Sequence, residues 1–281
     1  MRPLLAVVLA GVLLAGSACH RPEPVMFADG TTMHRLQQAG RIRIGVKSDQ
    51  PSLGFLNPAT NRHEGFDVEI ATIVAAELGL SRKQITFVTT TSGVRESYLV
   101  QGRVDIVVAS YSMNDRRRTM VGQAGPYFRT GQQLLVRRAD RNVITGPDRI
   151  GAGRVCSAAG STSIVKWQQL YGTAPVAEPT YTKCVQRLLT RSVDGVTTDG
   201  VVLLGYVAQL PTKLAVVGPK FSEDAYGIGY PKGDRVFCEF LTRVITDAEE
   251  DGRWSQAFDQ TLGRAGVHAS NMPAVEPCRD H

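Results

Sequence analysis

Ser110, Tyr111, Ser112, Met113 and Asn114 are followed closely by three consecutive arginines, Arg116, Arg117 and Arg118. A guanidinium forms a planar, bidentate, charge-assisted pair with a carboxylate, and nearby hydroxyls and backbone N–H groups satisfy the remaining lone pairs. The cluster comes directly after a short apolar run, Val104 to Val108, which reads as a buried strand. The stretch from Val104 to Gly131 is therefore read as a strand feeding a loop that grips a small carboxylate-bearing ligand. Two other places fit the same chemistry. The segment AAGSTS at 158–163 follows a strand ending at Val155–Cys156 and opens a helix whose free N–H groups suit an anion. Asp199 follows the strand Val193 to Thr197 and occupies the N-cap position of the next helix.

The elements that position these groups alternate between strand and helix. Ile42 to Val46 reads as a strand that breaks into Lys47, Ser48, Asp49, Gln50 and Pro51. Gly65 opens a helix with Phe66, Ile70, Ile73, Val74 and Leu78 at helical spacing, stopped by Gly79. Ile85 to Thr90 is a strand and Gly93 to Gln101 a helix, so Ser92 and Arg95 also follow a strand end. Such alternation builds a parallel sheet flanked by helices, and ligands bind beyond the carboxyl ends of its strands. A second α/β pattern begins past Gly131 with a strand over Gln133 to Val136, and includes helix Tyr181 to Thr190 and strand Lys213 to Val217. AYGIGY at 225–230 is a short strand, followed by helices Arg235 to Glu250 and Trp254 to Leu262. The expected organisation is a first lobe over 31–133, a second over 134–224, and a return to the first lobe over 225–281, with two crossings.

At 281 residues and 43% hydrophobic, the chain has ample material for packed cores. Arg2, the apolar run Leu4 to Ala15 and the small residues Gly16, Ser17 and Ala18 before Cys19 describe a lipoprotein signal peptide over 1–18, with Cys19 lipidated. Gly16 stands where the usual lipobox carries leucine. Residues 19–30 form a polar tether holding the body off a membrane. Export leaves Cys156, Cys184, Cys238 and Cys278, an even number without a C-x-x-C, which favours disulfides. Of three possible pairings, Cys156–Cys184 and Cys238–Cys278 are preferred by proximity in sequence. Each closes a loop of about 30 to 40 residues, contributing roughly 3.5–4 kcal/mol in the chain-entropy picture. The net charge is +6, or +5 without residues 1–18, whose one charged side chain is Arg2. The cations are scattered apart from Arg116–Arg118, which argues against nucleic acid as a partner.

GFDVEIATIVAAELG, VDIVVASYSMNDRR, AGPYFRTGQQLLV, AGSTS, VDGVTTDG and AYGIGYPKGD follow one another along the chain. Together they resemble the family 3 solute-binding proteins, the periplasmic-type amino-acid-binding proteins of ABC importers, over about residues 30–265. DQPSLG, SYSMN, GSTS, VTTDG and the Cys156/Cys184 pair are similar to actinobacterial glutamate-binding lipoproteins. The resemblance implies an α/β, two-lobed clamp of the periplasmic-binding-protein type II class, each lobe a mixed sheet flanked by helices. It implies a monomer, lipid-anchored at the outer face of the cell membrane, that delivers an amino acid to ABC permease subunits. Arg117 aligns with the arginine that pairs with the ligand α-carboxylate, with Ser110 and Ser112 beside it. Thr162, flanked by Ser161 and Ser163, aligns with the second lobe's contact to that carboxylate, and Asp199 with the acid that takes the ammonium. Lys47, Ser92 and Arg95 fall where acidic-amino-acid binders surround the side-chain carboxylate. Thr198 stands where some relatives carry histidine. Asp49 either pairs with Lys47 or points into the site and favours an amide.

Extra cations around one cavity suit a dianionic ligand, because buried unpaired charge is costly. Glutamate, then aspartate, is the expected ligand, with glutamine or asparagine as the alternative. A sensor for a membrane signalling partner is a second possibility. An enzyme on this fold would need a poised acid or base, for which Asp49, Asp199 and His63 are the candidates. No paired-carboxylate or histidine-centred constellation is present, so the expectation is a binder without catalysis, cofactor or metal.

Overall fold

The computed structural model describes residues 26–150, 154–268 and 271–279. The signal peptide, Cys19 and the tether up to residue 25 lie outside the described residues. The chain begins with α1 (Thr32–Ala39) and β1 (Ile42–Val46), then a small antiparallel sheet of β2 (Asp49–Gln50), β3 (Gly54–Asn57) and β4 (Arg62–Glu64). Next come α2 (Phe66–Glu77), β5 (Ile85–Thr89), α3 (Arg95–Val100), β6 (Ile106–Val107), α4 (Asp115–Arg118) and the long β7 (Val121–Thr130). Beyond Gly131 follow β8 (Gln132–Arg137), β9 (Val155–Ala158), α5 (Thr162–Tyr171), β10 (Val176–Glu178), α6 (Tyr181–Leu189), β11 (Gly195–Asp199), α7 (Gly200–Gln209) and β12 (Leu214–Val217). β13 (Asp224–Pro231), α8 (Arg235–Glu250) and α9 (Arg253–Gln260) complete the body.

Two five-stranded sheets repeat one plan. The first has the order β5-β1-β6-β13-β7 and the second β10-β9-β11-β8-β12. In each, three parallel strands are joined by an antiparallel neighbour, β13 beside β6 and β8 beside β11. The result is the two-lobed mixed α/β architecture expected from the sequence. The chain crosses between lobes from β7 to β8 and from β12 to β13, and the two crossings are bonded to each other. Thr130 pairs with Asp224, Gln132 N donates to Ser222 Oγ at 2.9 Å, and Phe221 N donates to Gln132 O at 2.9 Å. Gly131 is required there, since a Cβ would lie 2.1 Å from Ser222 O.

The first lobe's core forms where α2 meets β7 and α9. Gly65, at φ +117°, starts α2 so close to β3's approach that a Cβ would lie 2.4 Å from Leu53 O. Phe66 then points inward and its ring meets those of Tyr127, Phe128, Trp254 and Phe258. Such aromatic contacts contribute about 0.5–1.5 kcal/mol each beyond the burial of area. Trp254 Nε1 adds a hydrogen bond to Tyr127 O at 2.8 Å. Both preferred disulfides are formed: Cys156–Cys184 ties β9 to α6, and Cys238–Cys278 ties α8 to the C-terminal segment.

Several local expectations change. Of Val104 to Val108 only Ile106–Val107 joins the ladder, although the run is buried. The triple arginine belongs to a short helix, α4, capped by Asn114 Oδ1 accepting from Arg117 N at 2.9 Å. The end of the expected loop is β7, ten residues long, whose glycines, proline and polar residues hide its strand character. The β2-β3-β4 sheet was not anticipated because its strands are too short to show a period of two. Helix α3 starts at Arg95 instead of Gly93, and α9 spans Arg253–Gln260.

Candidate functional site

A small cavity lies between the lobes. Ser92, Arg95, Ser110 and Ser112 line it from the first lobe, and Ser161, Thr162, Ser163, Tyr181, Thr198 and Asp199 from the second. Every lining group lies at or beyond the carboxyl end of a strand or opens a helix, where backbone and side-chain polar groups are left over from the sheet. The lobes touch across it, Ser112 Oγ lying 3.2 Å from Thr162 Oγ1.

Three cations are gathered on the first-lobe side. Lys47, Arg95 and Arg117 are only 3%, 2% and 5% exposed, so each charge must be answered locally. Lys47 Nζ donates to Ser92 Oγ at 2.8 Å. Burial, helped by the positive charge of Arg95, lowers its pKa to about 7. Arg95 donates from Nη1 to Ala109 O at 2.9 Å and to Ser110 O at 3.2 Å, while its Nε has no acceptor among the described residues. Burial, and then the charge of Arg117, lowers the Arg95 pKa to about 10. The Tyr111 ring lies between the two guanidinium groups, at 4.6 Å from Arg95 and 4.8 Å from Arg117. Cation–π attraction thus offsets part of the repulsion between them.

Arg117 is fixed by Nε donating to Glu96 Oε1 at 2.9 Å and Nη1 donating to Ser112 O at 2.6 Å. Burial alone would raise the Glu96 pKa, but Arg95 and Arg117 hold it below its ordinary value. Arg117 lines an outer groove that shares Ser161 and Thr162 with the enclosed cavity. Ser110 sits at φ +44°, an uncommon conformation for a residue with a Cβ. Its N–H donates to Asp67 Oδ2 at 2.7 Å, while Asp67 Oδ1 accepts from Tyr127 OH at 2.7 Å. Burial pushes the Asp67 pKa up to about 6 despite those two donors.

The second lobe supplies the opposite charge. Asp199 ends β11 at 4% exposure, with Oδ2 accepting from Tyr226 OH and Oδ1 lacking a partner among the described residues. Burial, and next the negative charge of Asp224, raises its pKa to about 7. A cation seated at Oδ1 would reverse that shift. The expected N-cap role is corrected: Asp199 occupies the cap position of α7 but makes no side-chain cap bond, because its carboxylate turns into the cavity. At α5, Ser161 Oγ caps Ile164 N at 3.2 Å, leaving Thr162 to face Ser112. Ser163 Oγ donates to Thr198 Oγ1 at 3.3 Å, so Thr198 is part of the cavity wall.

Asp49 differs from both expectations. Its Oδ2 accepts from Tyr181 N at 2.8 Å, so it neither forms a salt bridge with Lys47 nor lines the cavity. His63 packs its ring 5.4 Å from that of Phe87 on the hairpin sheet, also outside the cavity wall. Arg118 turns away to Glu276 at 2.8 Å and Asp115 at 3.4 Å. Sequence reading missed Asp67, Glu96, Tyr111, Tyr181 and Tyr226, which support or enclose the site. Asp67 carried a signal, an acid on the inward side of an apolar helix.

Together the cavity offers the Arg95 guanidinium and hydroxyls from the first lobe, and a carboxylate oxygen without a partner among the described residues from the second. Residues 42–264 match the family described as bacterial extracellular solute-binding proteins, family 3. The glutamate-binding protein GluB of Corynebacterium efficiens is 33% identical over 268 residues, covering 92% of this chain and 88% of that protein. The ABC transporter glutamine-binding protein GlnH of Bacillus subtilis is 28% identical over 262 residues, covering 92% and 95%. Among solved structures, a solute receptor for L-cysteine of Neisseria gonorrhoeae superposes with a TM-score of 0.79 at 22% identity, covering 89% of this chain and 100% of that one.

Proposed function

Because the chain belongs to the bacterial extracellular solute-binding proteins of family 3, we propose that it captures an acidic amino acid, glutamate ahead of aspartate, by closing its two lobes. In this reading it is a monomer, anchored outside the cell membrane through Cys19, which presents the ligand to ABC permease subunits. The carrying observation is buried Arg95, together with Ser92 held by the Lys47 ammonium behind it, on the first-lobe wall of the cavity and the unpartnered Asp199 Oδ1 on the second-lobe wall. Arg117, Ser110, Ser112, Thr162 and Ser161 hold the α-carboxylate, and Asp199 holds the ammonium. Lys47, Ser92 and Arg95 hold the side-chain carboxylate, whose charge answers the clustered cations. Thr198 shapes the wall. Ligand groups bridge both lobes, so binding energy stabilises the closed state that a permease reads. The relative named for glutamate supports this choice.

A second reading is glutamine. Lys47, with its pKa near 7, is half neutral at neutral pH, and an amide then suits the selector end as well; the Bacillus relative is named for glutamine. Calorimetry of the purified protein against the twenty amino acids separates the two. Saturable glutamate binding without turnover is expected. Glutamine binding in preference to glutamate overturns the acidic assignment, and consumption of any ligand overturns the receptor assignment.

A further inference from the structure

We propose that Asp49 is a latch between the lobes, acting on closure itself. This rests on the clamp reading above. Helix α6 of the second lobe is capped by its own Thr180, whose side chain accepts from Lys183 N at 3.3 Å. That bond leaves the N–H groups of the first turn, Tyr181 and Thr182, without a partner inside the helix. Asp49 of the first lobe fills the gap. Its Oδ2 accepts from Tyr181 N at 2.8 Å and from Thr182 N at 3.5 Å. A carboxylate at a helix N-terminus is favoured by both the free N–H groups and the helix dipole.

The backbone of the same residue is engaged as well. Asp49 O accepts from Tyr206 OH on α7 and from Thr182 Oγ1 at 3.4 Å. Two residues on, the chain lies so close to α7 that a Cβ on Gly205 would sit 2.2 Å from Pro51 O. Asp49 thus bridges the first lobe to two helices of the second through bonds that involve no ligand atom. The second-lobe anchor is rigid, because Cys184 in α6 is joined to Cys156 in β9.

A latch of this kind raises the fraction of ligand-free molecules in the binding-competent closed form. The apparent dissociation constant is the intrinsic constant divided by that fraction, whatever the ligand. Losing one charge-assisted bond of this type should lower the closed population, and so raise every Kd, by roughly tenfold. A residue that only selects the ligand would leave the ligand-free closed population unchanged.

The test compares wild type, Asp49→Asn and Asp49→Ala, each first checked for native thermal unfolding. Spin labels on exposed sites of the two lobes report the interlobe distance of ligand-free protein by pulsed EPR. Calorimetry then gives Kd for glutamate and glutamine. The expected result is a ligand-free distribution shifted toward longer distances in Asp49→Ala, with Kd raised for both ligands. Asp49→Asn, which keeps an oxygen acceptor without the charge, should fall between. Identical ligand-free distributions in wild type and Asp49→Ala overturn the latch, as does a Kd unchanged for both ligands. Failure of wild type to bind either amino acid would count against the ligand assignment alone, because the ligand-free distances still decide the latch.

Discussion

Replacing Lys47 by methionine should uncouple glutamate binding from proton uptake. Lys47 is wholly buried and hydrogen-bonded to Ser92, and its pKa falls from 10.5 to about 7 through burial and the nearby Arg95. In the ligand-free clamp at pH 8 the amine is therefore mostly neutral. A ligand carboxylate beside it favours the ammonium, so binding takes up close to one proton per molecule, and glutamate affinity drops by up to about tenfold per pH unit above 7. The stability side has a definite sign. The folded pKa lies below the unfolded one, so the charged amine destabilises the fold below pH 7, and the penalty fades as pH rises from about 7 toward 10.5. With about 1.4 kcal/mol per pKa unit, that penalty reaches roughly 5 kcal/mol. Lys47→Met should thus raise the ligand-free melting temperature by several degrees at pH 6.5 and by little at pH 9.5. Calorimetry at pH 8 in two buffers of different ionisation enthalpy counts the protons. Asp199 confuses the count only near and below its own pKa of about 7. No proton uptake in wild type, or wild-type glutamate affinity in Lys47→Met, would refute the selector role and the charge reasoning behind it.

Other substitutions address the remaining grips. Arg117→Ala leaves a ligand α-carboxylate without its guanidinium and should raise Kd by about 100-fold or more, measured by calorimetry. Asp199→Asn keeps the Tyr226 contact but removes the charge facing Oδ1's empty side, so a loss of about 3 kcal/mol in binding is expected with the fold intact. Gly160, at φ +75°, closes against Gly93, where a Cβ would lie 2.6 Å from Gly93 Cα. Gly160→Val should hold the clamp open and weaken all ligands alike, visible as a larger radius of gyration in the presence of ligand by small-angle scattering. Replacing both cysteines of the 156–184 pair by serine should lower stability by about 2–5 kcal/mol in denaturant unfolding.

The alternation of strands and helices, the boundaries of α8, and the placement of Lys47, Ser92 and Arg95 after strand ends were legible because apolar periodicity and glycine stops are local properties. The family resemblance was legible for the same reason, as short motifs in a fixed order. The two disulfides agreed with the pairing nearest in sequence. What pattern alone left hidden were short or interrupted elements: β2 to β4 are too brief for a period to show, and β7 carries the glycines and proline of a loop. Sequence identified Asp199 as a polar residue at a helix start, but its direction depended on Tyr226, which comes from the returning strand 27 positions later. Asp49 offered two readings and took neither, because its partner is a helix N-terminus in the other lobe. The burial that moves Lys47 and Asp199 toward pH 7 likewise exists only in the folded chain. Local chemistry is written in residue order, whereas the solvation and partners of a charge depend on surfaces that residue order does not bring together. The chain determined by itself which groups could grip an amino acid; the tertiary structure decided which of them face the cavity.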